Sequence, residues 1–226
     1  MLTNNLLSPE RKEYFILDPA FPERLTISGY KRTLEFIHLM FSEYAQAGLS
    51  KKSDKEVALS GLLRRMQDSL RSKCVYGTFC CFLSRLLLWR VSNATDSYTG
   101  DNEHQLPSWS WMSHNHIEFF PEEPIQTPIG INRLGSDGQL HVHIFKLRRE
   151  QCELHVVSSD DEGEFWFDSQ EECQVHYCVV VGKLLKNDMY FVLLVMEIDD
   201  RRYKRLGVGK TRPCYISDAS FQGVLI

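Results

Sequence analysis

No stretch of this 226-residue chain is apolar for the roughly 18 residues that a membrane-spanning helix needs. The longest apolar segments, CCFLSRLLLW and MYFVLLVM, are short and flanked by charge. The N-terminal stretch MLTNNLLSPERKEYFILD lacks a basic region followed by an apolar one, so no secretory signal is expected there. A strong charge of either sign is also lacking. The 26 basic and 30 acidic residues leave a formal net charge of −4. That balance gives no general pull toward nucleic acid or an anionic membrane surface, and neither is expected as a partner. The seven cysteines contain no C-x-x-C pair, which removes the common zinc-ribbon and thioredoxin-like spacings. They are odd in number and scattered. With no secretory signal, reduced thiols in the cytoplasm are the expected state. There is no internal repeat and no low-complexity segment.

What is present is an ordinary globular composition, 43% hydrophobic and 25% charged, in a chain long enough for one large domain or two small lobes. Its character changes near Pro121. Residues 1–27 carry Pro9, Pro19 and Pro22 and read as an irregular lead-in. Residues 28–105 read as a helical lobe, and 106–226 as an antiparallel β-lobe. From Tyr30 to Tyr44, Leu34, Ile37, Met40, Phe41 and Tyr44 recur at steps of three and four, one face of an amphipathic helix that Gly48 would stop. In SDKEVALSGLLRRMQDSL, Ser53 and Glu56 have capping-box spacing. Val57, Leu59, Leu62, Leu63, Met66 and Leu70 then supply an apolar face. Gly61 inside this helix costs about 1 kcal/mol against alanine, which suggests a close helix contact there. A third short helix is expected near residues 75–84, leading into a buried strand at RLLLWR.

Beyond Pro121 the segments GQLHVHIFKLRR, CELHVV, EFWFD, VHYCVVVGKLL, MYFVLLVMEID and RYKRLGVGK read as strands. In the first, Leu140, Val142, Ile144 and Lys146 fall on one side. Turn-like pairs punctuate them at Asp137-Gly138, Glu162-Gly163, Asn187-Asp188 and Asp199-Asp200. The fold class is therefore α+β: a helical lobe, then an antiparallel meander of about seven to nine strands closing as a barrel or sandwich.

The stretch LPSWSWMSH, residues 106–114, carries the most conspicuous pattern. On a strand, Trp109 and Trp111 would share one face and Ser108 and Ser110 the other. They could form a stacking platform for a flat ligand, or the aromatic face of a core, which suits large indoles better. Two His-x-His pairs, His114/His116 and His141/His143, would each place two imidazoles on one strand face, as a zinc or iron site needs. Neither has an acid or third histidine at a fitting distance, and solvent-facing histidines are the simpler reading. Cys81 and His104 could be imagined as a nucleophile pair, but nothing local resembles an oxyanion loop. GVGKT, residues 207–211, ends like a phosphate loop, yet Lys204 stands where the motif requires glycine. SDDEGE reads as a solvated hairpin tip, and RRYKR as a charged strand edge. No catalytic set, metal or cofactor is expected from the residues alone.

Several blocks, in order, resemble the region downstream of the heterokaryon-incompatibility (HET) domain in fungal protein families. SDKEVALSGLLRRMQ resembles their DKLPALSGLA, RLLLWR their GLLW, and LPSWSWMS their APSWSWAS. The end of CVVVGKLLKNDMYFVLLVMEIDDRRYKRLGVGK is similar to their YRRIGV. The likeness runs roughly from Thr26 to Lys210, and PSWSW is its most specific block. Glu56-Val57 replaces the usual Leu-Pro, and Met112 the usual alanine. The signalling blocks of that family (LSYxWG-, DALCINQ- and RGWTxQE-like) do not occur. The resemblance implies a C-terminal region of a HET-type protein, a family acting in non-self recognition and programmed cell death. It implies a structural or regulatory role without enzymatic activity and a protein partner, either an effector domain in cis or a signalling protein. It carries no catalytic residue onto this chain.

Overall fold

The computed structural model describes residues 21–46, 52–92, 106–120, 125–126, 129–135, 137–148, 163–169 and 175–226. The predicted strand CELHVV, and the positions Gly48 and His104, lie outside them. The helical lobe is built on α1 (Arg24–Ile27), α2 (Tyr30–Gln46) and α3 (Lys52–Leu70). α1 is one turn inside the expected lead-in. α2 buries Leu34, Ile37 and Phe41 of its predicted stripe and adds Thr33, Phe36 and Ala45. α3 buries Leu59, Leu63 and Met66 at the same helical spacing. Its bounds place Ser53 one residue inside the helix rather than before it. Gly61 marks no close contact: nothing lies within 4 Å of where its Cβ would stand.

The third helix is mostly absent. Residues 74–79 form a hairpin of two short strands, β1 (Cys74–Val75) and β2 (Thr78–Phe79). Its turn residues Tyr76 and Gly77 both have positive φ, 46° and 72°. That is the backbone of a two-residue hairpin turn, which ends any helical run. One helical turn follows, α4 (Leu83–Leu86), and then β3 (Trp89–Val91), which pairs with β4 (Ile117–Phe119). RLLLWR is thus buried as expected, but only its end is strand.

Among the described residues the β-lobe is an eight-stranded sheet. Its strands are β5 (Ile125–Gln126), β6 (Ile131–Leu134), β7 (Leu140–Leu147), β8 (Gly163–Phe167), β9 (Tyr177–Leu184), β10 (Tyr190–Asp199), β11 (Arg202–Thr211) and β12 (Ile216–Leu225). Strands β9, β10, β11, β12 and β7 run in that order. Pairing of β7 back onto β9 closes them into a five-stranded barrel. The pairs are antiparallel except β11–β12, which is parallel over two positions only. Strand β12 goes beyond the predicted meander. The interior holds Leu140, Val142 and Ile144, the alternation read from the sequence, together with Val179, Val181 and Leu193. Strands β9 and β10 are buried on their outer faces too, through Cys178, Val180, Val192 and Leu194 beside Phe165 and Phe167 of β8. Burial on both faces explains why CVVV and FVLLV do not alternate. Each such side chain stabilises the fold by about 1.5–3 kcal/mol.

GVGKT lies within β11, between β10 and β8, and opens no helix. Its glycines serve packing. A Cβ on Gly207 would strike the Trp166 carbonyl oxygen, and one on Gly209 the Phe165 ring.

Candidate functional site

The PSWSW block is not a strand. Residues 107–110 turn, and Trp111–Ser113 form a short 3-10 helix. The two indoles consequently point into different cores. Trp109 belongs to the barrel core and Trp111 to the helical core, where it stacks on Phe41 with centroids 4.4 Å apart. Both rings are completely enclosed, so neither offers a face to a ligand. Each spends its N–H internally: Trp109 Nε1 donates to Gly138 O at 3.2 Å, and Trp111 Nε1 to Gly77 O at 3.0 Å. Trp89, also enclosed, donates from Nε1 to Trp109 O at 3.2 Å.

The serines between them are equally occupied. Ser108 Oγ donates to Ile226 O and accepts from Arg205 N. Ser110 Oγ donates to Tyr76 O at 2.8 Å and accepts from Met112 N, capping the 3-10 turn. The segment therefore fastens the barrel, the β1–β2 hairpin and the helical lobe together. The helical core takes in Trp111, Met112 and Ile117, so the cores do not divide at residue 106, where the sequence reading set the lobe boundary.

Beside this clasp lies a buried ion pair that the reading of RRYKR as a charged edge missed. Arg201, Arg202 and Lys204 are exposed, but Arg205 is only 2% exposed. Strand β11 changes partner here, from β12 at residues 202–203 to β8 at residues 207–211. The N–H of Arg205 falls in the split, and Ser108 satisfies it. Its guanidinium grips Asp168, just past β8, through Nε to Oδ2 at 2.8 Å and Nη2 to Oδ1 at 3.2 Å. It also donates to Leu87 O at 2.9 Å and Trp89 O at 2.6 Å, and lies 3.3 Å from the Trp89 ring centroid. Burial lowers the Arg205 pKa, and the Asp168 carboxylate opposes that shift. The bidentate geometry and the filled donors are what make an enclosed charge tolerable. The sequence signal was parity: Arg205 falls on the same strand face as the buried Tyr203.

The histidine pairs do not take up the paired-imidazole arrangement that a metal site on a strand face would need. His114 and His116 lie in a bend, with His116 at φ 50°, so they share no strand face. The Ser113 hydroxyl donates to Ser110 O, so its 2.8 Å contact with His114 Nδ1 places the imidazole proton on that nitrogen. His141 and His143 do share the outer face of β7. His141 Nε2, however, meets the Arg133 guanidinium at 3.4 Å, and His143 Nδ1 meets Ser220 Oγ at 3.4 Å. A cation at that distance opposes a second cation on the same imidazole. No group of three or more His, Cys, Asp or Glu side chains fit to hold a metal ion is found among the described residues. Burial pushes the Cys74 thiol up to about 12 and raises that of Cys81, the reverse of nucleophile activation.

Comparison of the chain with protein-family models, with curated proteins and with solved structures finds no match. Among the described residues no helix is long and apolar enough to cross a membrane.

Proposed function

We propose that this chain is a non-enzymatic structural or regulatory region of the heterokaryon-incompatibility type. It acts in the cytoplasm, in non-self recognition and programmed cell death. Its task is to pack against, restrain or present an effector domain in cis or a signalling partner. One observation carries the reading. The PSWSW block, the most specific point of the family likeness, is consumed as an internal clasp, with three indole N–H groups bonded to backbone carbonyls. A residue pattern spent on joining two cores supports a rigid platform rather than a reaction site. The rival reading, a β-module that binds a ligand through Trp109 and Trp111, needs open ring faces, and both rings are enclosed.

The test is the mass and composition of the endogenous product. Native protein purified under mild conditions is expected to contain the missing signalling blocks, either in a longer polypeptide or in a stoichiometric partner. A monomer of this chain alone contradicts the proposal. So does nucleotide hydrolysis by the purified chain.

A further inference from the structure

One end of the barrel is lined differently from the rest. Lys146 follows Leu140, Val142 and Ile144 at the next inward position of β7 and is exposed. It pairs with Tyr177, which pairs with the inward Val195. Glu197 pairs with Tyr203, and Phe221 pairs with Ile144. Residues directly opposite one another share a face, so this rim carries one lysine, one glutamate and three aromatic rings.

The rings form a triangle. Tyr177 and Tyr203 centroids are 5.8 Å apart at 78°, Tyr177 and Phe221 5.9 Å at 90°, and Tyr203 and Phe221 6.4 Å at 48°. Tyr203 is the enclosed floor at 1% exposure, Tyr177 is half-buried, and Phe221 is 37% exposed. A cation seated against the open sides of Tyr177 and Phe221 lies within about 6 Å of both centroids, the range of cation–π attraction, with the enclosed Tyr203 beneath them. Glu197, exposed and hydrogen-bonded to the Tyr203 phenol, adds negative charge beside it. Lys146, and Arg201 close to Tyr203, repel a bare cation, but Lys146 suits an attached anion. Mouths of small barrels are recurrent ligand sites.

We propose that this mouth binds a small zwitterion that joins a methylated ammonium to an anionic group, with phosphocholine as the simplest example. The ammonium sits against Tyr177 and Phe221 beside Glu197, and the anion faces Lys146. The site is separate from the PSWSW clasp and does not depend on the role proposed above.

The probe is phosphocholine, titrated into the full chain while its N-methyl proton resonances are followed. Saturable binding is expected, with an upfield shift from the ring currents. The isostere 3,3-dimethylbutyl phosphate, whose neutral tert-butyl group replaces the trimethylammonium, should bind at least about fivefold more weakly, as lost cation–π attraction requires. Phe221→Ala should weaken phosphocholine by a similar factor. Lys146→Gln, a change at an exposed position that leaves the fold intact, should weaken phosphocholine but not choline. Cosedimentation with phosphatidylcholine vesicles identifies a lipid headgroup as the source, and binding of the free compound without cosedimentation identifies a soluble one. Equal binding of the isostere, equal binding by both variants, or no saturable shift overturns the proposal.

Discussion

Lowering the pH from 7 to 5 should withdraw about 2 kcal/mol from the fold through one imidazole, His38. Its ring lies flat on Phe119, 4.5 Å between centroids and 5° between planes. Nε2 is sealed from solvent and has no hydrogen-bond partner. Burial, and then the charge of the buried Arg85 beside it, hold the His38 pKa down from 6.5 to about 3. The unfolded chain therefore takes up the proton first. This contribution is complete above the unfolded value of 6.5 and is lost as pH falls toward 3. Between 6.5 and 5 the lag is about 1.5 pH units, at about 1.4 kcal/mol each. With a urea dependence of about 3 kcal/mol per molar, the midpoint should drop by about 0.7 M. Other titrating groups add to the raw change, so the assay compares the native chain with His38→Phe, which preserves the stack but cannot titrate. The difference between pH 7 and pH 5 should be about 2 kcal/mol smaller in the variant. Equal pH dependence in the two proteins would refute the reasoning.

Gly61→Ala should stabilise the fold by about 1 kcal/mol, because its Cβ would stand in open space on a helix; an unchanged or lower melting temperature contradicts this. Gly223→Ala should destabilise by about 1–3 kcal/mol. Its Cβ would lie 2.7 Å from Ile144 Cγ1 and 2.8 Å from Tyr203 Cε2. Asp168→Ala strands the Arg205 charge and should cost about 3–5 kcal/mol in a denaturation titration; a loss below about 1 kcal/mol would mean that water satisfies the guanidinium.

Legibility from sequence followed periodicity. The apolar stripes of α2 and α3 and the alternation of β7 were readable because one face of each meets a core. The runs in β9 and β10 were readable as strands by length and β-branching, although burial on both faces removed their alternation. Strand β12 was not readable: residues 218–222 pass along the surface, so its middle carries no period. The Tyr76-Gly77 turn was mistaken for helix because Val75, Phe79 and Phe82 fall at helical spacing while packing from a hairpin. PSWSW looked like a strand because its tryptophans alternate with serines. Nothing local says that successive tryptophans enter opposite cores. The Arg205–Asp168 pair and the aromatic rim each join residues far apart in the chain, and only closure of the barrel brings them together.

The most direct test of the clasp is tryptophan emission from a Trp166→Phe variant. That leaves Trp89, Trp109 and Trp111, the other three of the four tryptophans. All three rings are enclosed. Blue-shifted emission that resists acrylamide in the folded state, with both properties lost together in urea, is the predicted result. Red-shifted, readily quenched emission from the folded protein would show that the indoles face solvent, and would contradict the account of PSWSW as the fastening between two cores.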